Sequence, residues 1–401
     1  FLSRPHTGLL ELRGPSGVGK TIFVDRLLEQ HQERLVLRSC CRPEEHVPFK
    51  ALDSPMEHLC DWLMAVEEVD WRRSLVQSLP HAIFQVFPAL LRLPGCPLHL
   101  SIPADRAAAL EEALGAVSHL FSEVAARRPV LLWVDAYQWV DADSSPLLLR
   151  LLRTVPEGML VLLSGHPEME SLPRGGYIFE SIELNSLTRQ SFEQVMVDLP
   201  SERREELWTH SQGLPFLLMG GLGGESLRRR LARLEGEERR ILELSSLAVG
   251  DLPLRVLLRA VGDTAARRSQ SLRNLLDLRL IRWVGNGGGL EPTHDRVRLA
   301  VNDTLSKQVE HRNELHKSLV LALLGEPSSD LQALFVHCLG AGLEREALDY
   351  AREAAEAAEA NLAFGTAARL YERILSLEPG SAQLWARLAV CRRNIGALPE
   401  A

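Results

Sequence analysis

Little in this sequence points to a metal centre, a disulfide framework or a membrane. Only six of 401 residues are cysteine, at positions 40, 41, 60, 96, 338 and 391, and none of the spacings suits a metal-binding pair. Adjacent Cys40 and Cys41 are a poor basis for disulfides, so reduced thiols and a cytoplasmic setting are expected. No uninterrupted apolar run is long enough to span a bilayer. Positive charge is also in deficit: 45 Lys and Arg against 53 Asp and Glu leave a net charge of −8. That balance argues against a surface devoted to nucleic-acid phosphates, and neither a nucleic-acid nor a membrane partner is expected. The chain opens on Phe1 rather than Met and is expected to be a piece of something longer, with any signal or effector segment lying outside it. What is present is a folded, globular composition, 46% hydrophobic and 24% charged. The length calls for two or three domains.

The most informative stretch is Gly14-Pro15-Ser16-Gly17-Val18-Gly19-Lys20-Thr21, which fits the phosphate-loop pattern Gly-x-x-x-x-Gly-Lys-Thr. Upstream, Leu9-Leu10-Glu11-Leu12-Arg13 reads as a short buried strand. Downstream, Ile22, Phe23, Leu27 and Leu28 recur at helical spacing. Strand, glycine turn and helix start aim successive backbone N–H groups, through Ile22, at a phosphate. Gly14, Gly17 and Gly19 permit backbone angles and a close approach that a Cβ would block. Lys20 then sits as a point charge on the β- and γ-phosphates, and the Thr21 hydroxyl holds Mg²⁺.

A second run, Pro129-Val130-Leu131-Leu132-Trp133-Val134-Asp135, suits a parallel strand buried on both faces with its acid at the carboxyl end. Open α/β sheets bind ligands at that end. Asp135 is therefore the expected Mg²⁺ partner opposite Thr21, and Lys20 and Asp135 are the candidate catalytic pair. Further strands are predicted over 34–39, 158–164 and 181–184. A mainly helical segment is predicted over 49–128, with Leu110, Leu114, Val117, Phe121 and Val124 along one stripe. Pro94, Gly95, Pro97 and Pro103 mark the loop before that stripe. The expected fold is an α/β P-loop domain with a parallel five-stranded sheet.

Beyond Asp135 the chain continues Ala136-Tyr137-Gln138-Trp139-Val140-Asp141-Ala142-Asp143-Ser144. This pattern resembles the second phosphate-side motif of the STAND class of AAA+-related signalling ATPases. Their relatives include bacterial regulators fused to kinase or transcription domains and, more distantly, NB-ARC switches. Pro48-Phe49-Lys50-Ala51-Leu52-Asp53 looks like the segment these proteins carry after their second strand. Three departures stand out. The acid that polarises the attacking water in the family is Ala136 here, and a methyl group can neither accept a proton nor orient water. Asp141 and Asp143 lie nearby, with nothing in the sequence to place either at the γ-phosphate. The position often held by a phosphate-sensing arginine is His166. Phe1-Leu2-Ser3-Arg4 looks like the family's nucleotide-gripping lead-in, without the helix that usually precedes it.

The resemblance extends further along the chain. Gly213-Leu214-Pro215-Phe216 looks like the Gly-x-Pro element whose proline packs on adenine, which makes Pro215 a cofactor-binding candidate. Helices over 237–249, 252–261 and 264–280, then a hairpin from Ile281 to Pro292 around Gly285-Asn286-Gly287-Gly288-Gly289, are read as a winged helix. On its own a winged helix suggests DNA reading, and Arg267, Arg268 and Arg273 lie on its last helix. The charge balance and the attached P-loop domain favour a packing module. Thr293-His294-Asp295 resembles the element in which a histidine touches the β-phosphate of bound ADP and an aspartate braces the loop. The plain alternative is a histidine capping a helix over 298–305. From Asp330 the composition turns alanine-rich, with Ala347, Ala351, Ala354, Ala355 and Ala358 along one face. Ala367 and Ala401 lie at the tetratricopeptide period, and Ala367, Tyr371 and Pro379 suit that repeat's small, aromatic and proline positions.

These features divide the chain into a P-loop domain (1–187), a helical lid (188–234), a winged helix (235–327) and truncated tetratricopeptide-like repeats (328–401). The expectation is an ADP/ATP switch that binds Mg-nucleotide, is at most a slow ATPase, and couples nucleotide state to domain rearrangement and homo-oligomerisation. Partner proteins would bind the repeats, and a kinase- or transcription-type effector would be fused or associated. The alternatives are a DNA-binding regulator working through the winged helix, or a repeat scaffold with a vestigial nucleotide site. Ala136 and His166 argue against a fast AAA+ motor.

Overall fold

The computed structural model describes residues 8–42, 48–97, 99, 105–154, 157–173, 177–222, 227–262, 265–284, 288–326 and 330–396. The Phe1–Arg4 lead-in, Pro103, Gly285 to Gly287 and Ala401 lie outside the described residues. The chain divides into two compact units. The first comprises Phe1–Gly14, Lys20–Glu183 and Arg352–Ala401, the second Pro15–Gly19 and Leu184–Ala351.

In the first unit β1 (Gly8–Arg13), β2 (Leu35–Cys40), β3 (Val130–Asp135), β4 (Met159–Gly165) and β5 (Ile178–Glu183) form one sheet in the order β2-β3-β4-β1-β5. Every pairing is parallel. All residues of β3 and β4 are buried, which is why both read as continuous apolar runs. β5 is an edge strand and starts three residues before the predicted 181. Its Glu180, Ser181 and Glu183 break the apolar signal that the central strands carry, as edge strands do to discourage further pairing. The register sets Asp135 beside Ser164 and Arg13 beside Gly165, so the carboxyl ends of β1, β3 and β4 share one edge.

Helix α1 (Lys20–Leu28) leaves the phosphate loop. The predicted helical segment resolves into α2 (Lys50–Ala65), α3 (Val69–Ser78), α4 (His81–Val86) and α5 (Arg106–Ala125). Pro80 stands at the N-cap of α4. The Asp105 carboxylate caps α5 by accepting the Ala108 N–H at 3.0 Å. The predicted stripe packs inward, with Leu114, Val117, Phe121 and Val124 buried. α6 (Ser144–Thr154) follows β3.

The second unit begins its helical part with α7 (Arg189–Val195), α8 (Ser201–Ser211), α9 (Pro215–Leu222) and α10 (Leu227–Arg233). Phe192, Leu207 and Leu218 make a small core with Leu187, Met196, Leu199 and Trp208 packed against it. Pro215 opens α9, a position where a missing N–H leaves no bond unmade. Next come α11 (Gly236–Leu247), α12 (Leu254–Val261) and α13 (Ala265–Asp277). They accompany an antiparallel sheet of β6 (Leu252–Pro253), β7 (Ile281–Val284) and β8 (Gly289–Pro292), in the order β6-β8-β7. β6 has only two residues, one of them proline, and the sequence gives no strand signal there. α14 (Asp295–Ser306), α15 (Val309–Leu324) and α16 (Leu331–Gly340) complete this unit. α14 starts three residues before the predicted 298.

α17 (Glu344–Ala360) leads back to the first unit, which ends in α18 (Phe364–Leu377) and α19 (Ala382–Asn394). Within this unit Ala354, Ala355, Ala358, Ala367 and Tyr371 are buried. Glu359, itself buried, receives Arg106 Nη1 at 3.2 Å from the start of α5 and Arg387 Nε at 3.1 Å from α19. Among the described residues all six cysteines are free thiols, and no helix is long and apolar enough to cross a membrane.

Candidate functional site

In the first unit the site is built around Asp135, which ends β3 and is 8% exposed. Its Oδ2 accepts the Thr21 hydroxyl at 3.0 Å, so the two predicted metal-binding residues are brought together. Its Oδ1 accepts the Ser164 hydroxyl at 2.6 Å and the Ala136 N–H at 3.0 Å. Ser164 in turn accepts the indole N–H of the fully buried Trp133 at 2.9 Å. Arg38 lays its guanidinium over the Trp133 ring at 3.9 Å, with Nη2 3.7 Å from Asp135 Oδ2. The carboxylate is thereby fixed in direction, with one oxygen beside a hydroxyl at the start of a helix. Hard oxygen donors of this kind suit Mg²⁺. Lys20 Nζ donates to the Gly14 carbonyl at 2.7 Å, folding the lysine along its own loop.

In the second unit the loop Pro15–Gly19 is shaped by two glycines. Gly17 has φ 88° and Gly19 φ 102°, values that L side chains rarely adopt. The turn closes with Val18 N–H donating to the Pro15 carbonyl at 3.3 Å. Phe216 N–H donates to the Gly17 carbonyl at 3.1 Å, and Arg296 Nε to the Ser16 carbonyl at 3.1 Å. A Cβ on Gly17 would lie 3.0 Å from Phe216 Cβ and 3.7 Å from His294 Cε1. Phe216 and His294 stack with ring centroids 4.3 Å apart at 28°. His294 is the N-cap of α14, its Nδ1 accepting the Arg296 N–H at 3.1 Å. That bond makes Nδ1 the acceptor of the Arg296 N–H.

The candidates read from sequence therefore sort by contact. Thr21 meets Asp135, Lys20 meets Gly14, and the 15–19 loop meets the residue after Pro215 and the His294 ring. Pro215 itself opens α9, while Phe216 makes the contact. Val18 is buried, whereas Ile22 is 68% exposed. Ser164, Arg38, Phe216 and Arg296 were not singled out. A polar residue ending an apolar strand beside Asp135 was a usable signal for Ser164. Nothing local marks Arg296.

Both acids that follow Ala136 are fully engaged elsewhere. Asp141 accepts the N–H groups of Phe49 (3.1 Å), Lys50 (2.9 Å), Asp143 (3.0 Å) and Ser144 (2.9 Å), tying the start of α2 to its own loop. Asp143 accepts from Gly365 and Thr366 at the start of α18. Ala136 holds a left-handed backbone, φ 55°. His166 donates its N–H to Gln138 Oε1 at 3.1 Å.

Comparison with known proteins bears on the family and the fold. Residues 2–163 match the AAA ATPase domain family. No curated protein matches the sequence. Similar solved structures include a Signal Transduction ATPase with Numerous Domains (STAND) protein with a tetratricopeptide repeat sensor from Pyrococcus horikoshii. It overlays with TM-score 0.53 at 14% identity, over 99% of this chain and 61% of that one. This chain thus spans less than two thirds of that protein's length. The Aeropyrum pernix ORC2 protein, solved as ADPNP–ADP complexes, gives TM-score 0.27 at 12% identity, over 76% of this chain and 89% of that one. The Drosophila ORC bound to DNA gives 0.29 at 14% identity, over 76% and 92%. The last two scores are too low to carry an argument. The STAND resemblance and the α/β P-loop fold read from the sequence are borne out.

Proposed function

We propose that this chain, with an AAA ATPase domain over residues 2–163 and a STAND-like fold, is a nucleotide-dependent switch that binds Mg-ADP and Mg-ATP and hydrolyses ATP slowly. The observation that carries the reading is the 3.0 Å bond from the Thr21 hydroxyl to Asp135 at the carboxyl edge of the sheet. Mg²⁺, when bound, neutralises phosphate charge; Thr21 and Asp135 are the oxygen donors that would hold it. Lys20 supplies positive charge to the β- and γ-phosphates, and the N–H groups of the glycine turn cradle them. Slow turnover follows from Ala136, because loss of a general base costs about 10²–10⁴ in rate.

The remaining modules are read as a lid (188–234), a winged helix (235–327) and tetratricopeptide-like repeats (328–401). Phe216 and His294 touch the phosphate-binding loop within one unit, which supports their answering to what the loop holds. Moving a two-state equilibrium from 1:99 to 99:1 takes about 5.5 kcal/mol of differential binding. Contacts to the terminal phosphate supply part of that, and partner binding to the repeats or assembly of several copies supplies the rest. The test is ADP binding with and without Mg²⁺. Thr21→Ala is expected to remove most of the Mg²⁺ dependence while leaving metal-free affinity within a few-fold. Unchanged Mg²⁺ dependence would remove the metal site from the account.

A further inference from the structure

We infer that the Arg38 guanidinium competes with Mg²⁺ for Asp135 and withdraws onto Asp25, so that this arginine sets the Mg²⁺ concentration at which the nucleotide site takes up its metal. The inference rests on the reading of Thr21 and Asp135 as the Mg²⁺ donors. Three observations in the first unit lead to it.

The first is a shared oxygen. Arg38 Nη2 lies 3.7 Å from Asp135 Oδ2, the same atom that accepts the Thr21 hydroxyl at 3.0 Å. Arg38 pairs with Trp133 in the β2–β3 register, which sets it beside the strand that ends in Asp135. A carboxylate only 8% exposed is costly without a counter-charge, and Arg38 supplies one. Mg²⁺ would bring two positive charges to the same oxygen, and like charges a few ångströms apart repel one another. The second is a loose hold. At 3.7 Å the Arg38–Asp135 contact is an ion pair beyond hydrogen-bond length, and the arginine side chain is 35% exposed. It neutralises the carboxylate without being locked to it. The third is an alternative seat. Arg38 Nη1 donates to Asp25 Oδ1 on α1 at 3.3 Å, and the guanidinium covers the Trp133 ring at 3.9 Å. An arginine stacked on an indole and bonded to another acid keeps both partners when it leaves Asp135.

At low Mg²⁺ the guanidinium holds Asp135 neutralised, and polyphosphate is gripped by the loop. As Mg²⁺ rises, metal uptake at Oδ2 shifts Arg38 toward Asp25. Two side chains thus act on the metal with opposite sign: Arg38 opposes filling of the site, and Asp25, by drawing Arg38 off, favours it.

The test is calorimetric titration of ADP into the full chain at a series of free Mg²⁺ concentrations, for wild type, Arg38→Gln, Asp25→Asn and the double variant. The readout is the free Mg²⁺ at which ADP affinity has risen halfway. Arg38→Gln is expected to lower that midpoint by about 3–10-fold, and Asp25→Asn to raise it by about 2–5-fold. In the Arg38→Gln background, Asp25→Asn should move it less than about twofold, since its effect passes through the arginine. If the single variants leave the midpoint unchanged, or shift it in the same direction, Arg38 merely braces the sheet; the inference fails and the metal site stands. An Asp25→Asn effect that persists undiminished in the double variant also overturns it. Should Arg38→Gln fail to fold, Asp25→Asn decides alone: a raised midpoint supports the competition, and an unchanged one overturns it. A wild type that binds no ADP, or binds it without regard to Mg²⁺, overturns the reading of the site and the inference with it.

Discussion

Asp143 caps the helix that begins at Thr366's turn: its Oδ2 accepts both the Thr366 N–H at 2.9 Å and the Thr366 hydroxyl at 2.7 Å. Oδ1 takes the Gly365 N–H at 2.7 Å, and both Asp143 and Thr366 are buried. An acid eight residues past Asp135 thus anchors α18. Asp143→Ala leaves three buried donors without their acceptor. A destabilisation of about 3 kcal/mol is expected, because removing one member of a buried charge-assisted set leaves the others desolvated. Chemical denaturation checks it, with loss of protection at α18 in hydrogen exchange. Asp143→Asn, which keeps one acceptor oxygen, should fall between the two.

At Ala136, where the family resemblance implies a base, the side chain is a methyl group, and both nearby acids are committed to capping. Ala136→Glu is expected to raise ATP turnover by about 10² over wild type, the low end of what general-base catalysis supplies. The left-handed backbone at this position, φ 55°, costs about 1–2 kcal/mol for any residue with a Cβ, alanine included, so the substitution adds no new strain of that kind. Phosphate release under saturating ATP measures it. An unchanged rate would mean that the missing carboxylate is not what limits hydrolysis.

His316 and His337 pack together in the second unit with Nδ1 atoms 3.0 Å apart, one donating and the other accepting. Burial holds His316 down to about 4, with the Arg312 charge adding to it. Burial and the neighbouring His316 hold His337 down to about 3. Both rings fold neutral, so the unfolded chain binds more protons below the ordinary histidine value near 6.5. Stability from this pair is therefore complete above about pH 6.5 and declines as pH falls toward 4 and 3, by up to about 1.4 kcal/mol per pH unit for each ring. Urea midpoints at pH 7.5, 6 and 5 test this, and His316→Asn combined with His337→Asn should flatten the profile.

Much of the site's first unit was legible because its signals are local. The loop from Gly14 to Thr21 declares itself by glycine spacing, and β3 by an apolar run ending in Asp135. β5 and β6 were poorly legible for the opposite reason: one is a half-exposed edge strand carrying Glu180 and Glu183, the other two residues long. The partners of the loop were legible only in outline. His294 drew notice through its neighbour Asp295 and the preceding hairpin, but Phe216 was masked by the more conspicuous Pro215. Arg296 gains meaning only once a carbonyl 280 residues away lies beside it. The capping role of Asp143 toward α18 was hidden for the same reason, since no periodicity encodes a contact across 222 or 223 residues.

The central claim is that the loop from Gly14 to Thr21 holds a nucleoside polyphosphate. Calorimetric titration of the full chain and of Lys20→Ala with ADP and ATP, in Mg²⁺, tests it most directly. Saturable one-to-one binding by the wild type is expected, weakened by roughly 10–100-fold or more once the lysine's charge-assisted bonds to phosphate are removed. Equal affinity in the two proteins, or no binding by either, would contradict the account.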